Sequence, residues 1–205
     1  MIYKTDRIIL EPLTREHLQT EQYRQWMNSP EVTRYNSHGL FPKTKADMDA
    51  FIESFESGRD LVWAIYTIGY VEHIKSKDGP IESRIISNSD YIGNISLQRI
   101  NWIHRSAELA ILIGNTGYWG KGIATEACLL ALAHGFNRLN MHRIWTGTAA
   151  TNLGMQRVAA KIGMTYEGAF REGMFLNGVY VNVKCYAILD YEWKRGNTMA
   201  PSSNG

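Results

Sequence analysis

Two glycines around a lysine, Trp119-Gly120-Lys121-Gly122, stand between the apolar run Ala107-Glu108-Leu109-Ala110-Ile111-Leu112-Ile113-Gly114 and a helix-forming stretch that begins Ile123-Ala124-Thr125-Glu126-Ala127. A strand that passes through a glycine turn into a helix leaves the first helical amides without internal acceptors. Those amides sit at the positive end of the helix dipole, where a phosphate can dock. Gly120 and Gly122 let the backbone approach such a ligand with no Cβ in the way. Glu108 alternates with the core-facing Leu109 and Ile111 in a strand that is otherwise apolar, so it is expected to face a cleft. Glu126, in the first helical turn, is accounted for by the dipole alone.

Two familiar phosphate loops do not fit. The P-loop needs a glycine five positions before Gly-Lys-Ser/Thr, whereas Asn115 stands at that spacing and Gly122 follows Lys121. The dinucleotide fingerprint breaks at Thr125, where a third Gly or Ala belongs, and no acidic residue near position 145 is present to hold a ribose. The turn instead resembles the coenzyme A signature of the GNAT acetyltransferase superfamily: Gln or Arg, two residues, Gly, one residue, then Gly or Ala. Gly122 and Ala124 meet that pattern, and Trp119 replaces its polar first residue. The order of elements is similar along roughly residues 7 to 192. The Trp-Gly-Lys-Gly turn leading into Ala-Thr-Glu-Ala is closest to the branch that resembles ribosomal-protein alanine acetyltransferases. Tyr91 to Ile95 and Asn101 to Arg105 look like segments of bacterial surface-sugar modification enzymes.

The resemblance implies acetyl-coenzyme A as co-substrate and no metal. It places the backbone of Ile111, Leu112 and Ile113 along the pantetheine arm, with Trp119, Gly120, Lys121, Gly122, Ile123, Ala124 and Thr125 around the pyrophosphate. Asn152 serves as a cofactor contact as well as a helix cap. An alkyl ammonium with a pKa near 10 is neutral in about one part in a thousand at pH 7, so amine acetylation needs a proton acceptor. The resemblance puts Glu108 in that role, directly or through water, and a salt-bridged structural carboxylate is the equal alternative. Relatives carry Tyr seven residues after the matching Asn, or Ser three after it, to protonate the departing thiolate. Here Ala159 and Met155 hold those positions, which leaves water, Tyr166 or Tyr186. Arg34, Tyr35 and Phe41 occupy the stretch that lines the acceptor site in the superfamily, and Trp102, His104 and Arg171 are candidates to join it. An arginine there suits an acidic acceptor such as a sugar nucleotide. His38, His104 and His142 have no carboxylate partner by spacing, and Cys128, inside a buried helix, is a poor nucleophile.

The expected activity is direct transfer to a primary amine, with the oxyanion held by a strand amide near Ile111. The acceptor stays open between an amino sugar nucleotide or other small amine and a protein N-terminus. A non-catalytic acyl-coenzyme A sensor is the rival from outside enzymology.

The elements that must position these residues read as follows. Arg7 to Leu13 is a strand ending near Pro12, and Thr14 caps a helix running to about Trp26. Asn28-Ser29-Pro30 breaks that helix, and 44 to 57 is a second one. Leu61 to Thr67 is a strand, and Gly69 to Asp90 a long connection with strand character at its edges. Tyr91 to Ile100 and Ser106 to Ile113 pair antiparallel around a turn at Trp102 to Arg105. Gly122 to Leu139 is a buried helix, His142 to Thr148 a strand, and Asn152 to Ile162 a helix closed by Gly163. Asn177-Gly178 joins the last hairpin, Tyr166 to Met174 with Val179 to Leu189. The fold class is α+β, a single GNAT-like domain over residues 1–196 with a central mixed, mostly antiparallel sheet flanked by helices, and a disordered tail over 197–205.

Bulk properties narrow the rest. The 205 residues suit one domain, and 44% hydrophobic with 20% charged residues suits an ordinary core. A net charge of +2 from interspersed charges gives no stripe for nucleic acid or membrane. Two distant cysteines and no apolar leader point to a cytoplasmic protein, with a homodimer compatible.

Overall fold

The computed structural model describes residues 1–36, 60–68 and 89–197, the segments 71–74 and 82–85, and residues 44, 46, 47, 49, 50 and 53. Its centre is β6 (Tyr91–Asn101), buried along its first seven residues because helices cover both of its faces. Before it come β1 (Tyr3–Lys4), β2 (Ile8–Pro12) and β3 (Leu61–Thr67), and after it β7 (Ser106–Ile113), β8 (Arg143–Ala149), β9 (Thr165–Leu176) and β10 (Val179–Leu189). They form one eight-stranded sheet in the order β1-β2-β3-β6-β7-β8-β10-β9. All pairings are antiparallel except β7 with β8, which run parallel. Within the 69–90 connection, β4 (Val71–Ile74) and β5 (Glu82–Ile85) pair as a separate hairpin. The expected mixed sheet is therefore found.

Period-two alternation sorts the side chains onto two cores. Ile8, Leu10, Ile95, Leu97, Ala107 and Leu109 face one side, and Leu13, Ala64, Tyr91 and Leu112 the other. The first side is covered by α4 (Ile123–Asn137), α5 (Leu153–Lys161) and α6 (Asp190–Asn197). α4 lies close on the sheet because Ala127, Ala131 and Gly135 recur every four residues. A Cβ at Gly135 would stand 2.5 Å from Ile144 Cδ1, so a larger residue there would have to displace that side chain. Truncating the fully buried Leu132 on this face to Ala is worth about 2–5 kcal/mol. No helix among the described residues is long and apolar enough to cross a membrane.

The second side is covered by α1 (Arg15–Leu18), α2 (Glu21–Met27) and α3 (Pro30–Thr33). Here the expected single helix from Thr14 to Trp26 is two helices. The Thr20 hydroxyl donates to His17 O at 2.7 Å and accepts from Tyr23 N at 3.3 Å, ending one helix and capping the next. Ser29 Oγ likewise accepts from Val32 N before Pro30, capping the short α3 that the sequence reading missed. Residues 46, 47, 49, 50 and 53 are helical, as expected; the remainder of the 44–57 reading, except Thr44, lies outside the described residues. So does the reading of the tail, except for Asn197, which ends α6. The helix α6 was not expected; Trp193 stacks on Phe136 with ring centroids 5.7 Å apart.

Candidate functional site

The parallel pair β7 and β8 is joined only along Ser106–Glu108 opposite Arg143–Trp145. Past that point the strands part, and a cleft of about 1040 Å³ opens between them. Backbone groups alternate between the two edges of a strand. Gly114 N–H donates to Ile92 O on the β6 side, so the amides of Ile113 and Ile111 point to the other edge, into the gap. These are strand donors with no strand partner, in a wall otherwise made of Leu109 to Ile113.

One end of the cleft is the glycine turn. Gly120 and Gly122 have φ of 73° and 82°, left-handed values that a side chain disfavours. Gly122 caps α4 with no side chain satisfying the helix amides, and a Cβ placed at Gly120 would meet nothing within 4 Å. The turn is a cradle of free donors, and Ile123, Ala124 and Thr125 continue it along the cleft wall. It is held from behind by the N-terminal segment: Arg7 Nη1 donates to Lys121 O at 3.0 Å, and Arg7 and Thr5 both donate to the Glu126 carboxylate. Glu126 thus does more than meet the dipole, because it ties the turn to the start of the chain. The Trp119 indole N–H donates to Ile113 O at 2.8 Å, so the residue that replaces the family's polar group staples the turn to the strand end. The Lys121 side chain is outside the cleft lining, its ammonium 5.3 Å from the centre of the Tyr118 ring. Asn152 lines the cleft, and its Oδ1 accepts from Met155 N at 3.1 Å, the expected helix cap.

At the other end stands Glu108, 14% exposed. Gln98 Nε2 donates to its Oε2 at 3.2 Å, and Arg99 Nε lies 3.3 Å from the same oxygen. Gln98 and Glu108 are register partners across β6 and β7, and Ser96 with Ala110 and Asn94 with Leu112 follow along the same face. Over this floor lie Tyr23, Met27, Glu31 and Val32 of α2 and α3, with Arg34 and Tyr35 beyond. The Arg34 guanidinium is 4.8 Å from the Tyr35 ring centre and 5.1 Å from that of Trp119, bridging the two ends of the cleft. Asn94 accepts from the Tyr91 hydroxyl at 2.7 Å. Burial, partly offset by the hydrogen bond to Asn94, pushes the Tyr23 hydroxyl up to about 12, so it remains a neutral hydroxyl at physiological pH.

Several expected site residues are elsewhere. Tyr186 is buried in the core and Tyr166 is 52% exposed on β9; the two rings contact each other, and neither lines the cleft. Trp102 is 62% exposed at the β6–β7 hairpin tip with His104 beside it, and Arg171 is exposed on the outermost strand. None of the three lines the cleft, because the turn and the edge strand both project away from it. Phe41 and His38 lie outside the described residues. His142 does have a carboxylate, Asp190 at 3.1 Å, which no sequence spacing signalled. Met155 lines the cleft and Ala159 is fully buried, so neither supplies a hydroxyl. Burial pushes the Cys128 thiol up to about 12. Sequence reasoning missed Tyr23, Asn94, Gln98, Arg99 and Asp60; the β6–β7 register sets Asn94 and Gln98 on the cleft face, α2 lays Tyr23 over it, and a hydrogen bond joins Arg99 to Asp60.

Comparison with known proteins identifies the family and the fold. A family described as the acetyltransferase (GNAT) domain matches residues 7–165. The "Putative ribosomal N-acetyltransferase YdaF" of Bacillus subtilis (strain 168) is 31% identical over 120 residues, 56% of this chain and 62% of its own. The spermidine N(1)-acetyltransferase of Escherichia coli (strain K12) is 32% identical over 126 residues, 60% of this chain and 66% of its own. The aligned region thus spans less than two thirds of either relative. The crystal structure of spermidine N-acetyltransferase from Vibrio cholerae in complex with CoA and spermine superposes with a TM-score of 0.73. That match is 23% identical and covers 93% of this chain and 99% of that one, a likeness of fold.

Proposed function

The chain belongs to the GNAT acetyltransferase family, and from that premise we propose that it is an acetyl-coenzyme A-dependent N-acetyltransferase that moves the acetyl group directly to a primary amine. The observation that carries the reading is one continuous cleft with uncapped amides of α4 at one end and the Glu108 carboxylate at the other. The pyrophosphate fits the turn because its donors are free and its glycines leave room. The pantetheine arm fits the gap because Ile111 and Ile113 offer strand donors there, while Ile113 O is already engaged by Trp119. Glu108 then takes a proton from the ammonium, directly or through water. The neutral amine bonds to the thioester carbon while the Ile111 amide stabilises negative charge on the carbonyl oxygen. The C–S bond breaks, and the nitrogen's second surplus proton passes through water to the departing coenzyme A thiolate. Tyr23, buried and neutral in the same cleft, shapes the acceptor end.

The acceptor is a small, positively charged amine. Glu31, Asp47, Asp60 and Glu108 all line the cleft. Of the cations on that side, Arg99 is already paired with Glu108 and Arg34 lies against two aromatic rings. An acidic wall favours a cation over an anionic sugar nucleotide. A relative named as a spermidine acetyltransferase points the same way. A protein N-terminus is the second reading, favoured by the relative named as a ribosomal acetyltransferase. Thiol release from acetyl-coenzyme A with a panel of diamines, amino sugars and N-terminal peptides tests the proposal. Diamines should lead; turnover led by an amino sugar nucleotide would reject the cationic acceptor, and binding without turnover on any amine would make the protein a sensor.

A further inference from the structure

Glu108 is not vacant in this structure, because a cation already rests on it. Arg99 Nε stands 3.3 Å from Glu108 Oε2, although the arginine side chain itself is 71% exposed. A side chain so exposed has no packing reason to lie there. Its backbone explains the placement. Arg99 has φ 52°, a left-handed value uncommon for a residue other than glycine. It sits where the β6–β7 register shifts between Gln98 and Asn101. Its N–H donates to Asp60 Oδ1 at 2.8 Å, and Asp60 directly precedes β3. The bulge re-aims the side chain, as bulges beside functional sites do, and Asp60 pins the bulge. Without the irregularity, period two would send residue 99 to the opposite face from Gln98 and Glu108.

We infer that Arg99, which does not itself line the cleft, is a counter-ion that reaches Glu108 from its solvent side and gives up the carboxylate when the amine arrives. The inference rests on Glu108 facing the acceptor, as proposed above. Arg99 then tunes acceptor affinity: it keeps the carboxylate paired in the empty enzyme and must be displaced by any amine that binds there. Displacement is cheap because the departing guanidinium is already mostly in water; an exposed pair of this kind corresponds to about a two- to fivefold effect on affinity.

The test is calorimetric binding of 1,4-diaminobutane to the protein saturated with free coenzyme A, which cannot react, alongside turnover with acetyl-coenzyme A. Arg99→Gln keeps a side chain of similar reach and should bind the diamine about two- to fivefold more tightly. Arg99→Lys should bind as the parent does. In a Glu108→Gln background, Arg99→Gln should leave diamine affinity unchanged, whereas an effect through general loosening of the bulge would persist there. Weaker binding by Arg99→Gln, an unchanged affinity, or a gain that survives Glu108→Gln overturns the inference, as does a parent protein that binds no amine. The tighter binding with no turnover in any variant would uphold it while rejecting the acetyltransferase reading.

Discussion

Replacing Glu108 by Gln changes one oxygen for one nitrogen and should separate chemistry from structure. The amide oxygen still accepts from Gln98 Nε2, now 3.2 Å from the carboxylate oxygen it replaces. What the fold loses is the ion pair with Arg99, whose side chain is 71% exposed. Solvent screening limits that loss to about 1 kcal/mol at most, a midpoint shift of about 2–4 °C for a chain of this size. What catalysis loses is larger. A positioned general base contributes about 10²–10⁴ in rate, and an alkylamine is neutral in only about one part in a thousand at pH 7. Turnover at pH 7 should therefore fall by about 10²–10⁴, while affinity for acetyl-coenzyme A changes less than about twofold. The residual rate must draw on amine that is already neutral, so it should rise about tenfold for each pH unit between about 7 and 9. Thiol release followed against pH, with calorimetry for the cofactor, makes the measurement. Parental turnover at pH 7, or a residual rate flat in pH, would show that Glu108 takes no proton and that the acceptor is deprotonated elsewhere.

Three further outcomes follow from the same structure. Gly122→Ala puts a Cβ on a residue at φ 82°, with its nearest neighbour, Arg7 Nη2, at an ordinary 3.6 Å; the left-handed strain of about 1–2 kcal/mol should lower stability by that amount in a denaturant titration and weaken coenzyme A binding about tenfold or more by calorimetry. Cys128 is fully buried, and burial pushes its thiol up to about 12, so mass spectrometry after incubation with acetyl-coenzyme A should find no acetyl adduct on it, and an adduct would replace direct transfer by a covalent route. His134, buried against Trp63 with its ring hydrogen-bonded to the Tyr3 hydroxyl, is held below the ordinary histidine value, first by burial and then by the N-terminal amine and Arg138. Below about pH 6.5 the unfolded chain takes up this proton and the folded chain resists it, so stability should fall as pH falls from there by at most about 1.4 kcal/mol per unit; His134→Gln should flatten that slope in denaturant midpoints, and an unchanged slope would assign it to other groups.

The half of the cleft proposed for the cofactor was legible in the sequence because it is local. A strand, a glycine turn and a helix start lie within residues 106–137, and their function needs backbone amides rather than a convergence of distant side chains. The acceptor half is the opposite case. Asp60 reaches Arg99 across 39 positions, and Gln98 meets Glu108 only through the β6–β7 register. Read singly, each of these polar residues passes for solvated surface. Tyr166 and Tyr186 failed for the same reason, since a tyrosine in a strand does not announce which face it takes or how far its strand lies from the gap. The split of the first helix was more nearly readable: Thr14, Thr20 and Ser29 are all hydroxyl residues of the kind that cap helices, and the periodicity between them was given too much weight.

Trp119 shows how a departure from a pattern can be misjudged when only ligand contacts are considered. Read against the family signature, it removes a polar contact to the cofactor. In the structure its indole N–H holds Ile113 O at 2.8 Å while its ring lies 5.1 Å from the Arg34 guanidinium. The bond fixes the turn against the strand proposed to align the thioester, and the ring lies against the Arg34 guanidinium in the cleft. A side chain without the indole would leave Ile113 O without this donor and Arg34 with Tyr35 alone. The exchange gives up a contact made only when ligand is bound for an arrangement that is in place before it arrives, and a preorganised turn of this kind needs fewer side-chain contacts to bind a diphosphate.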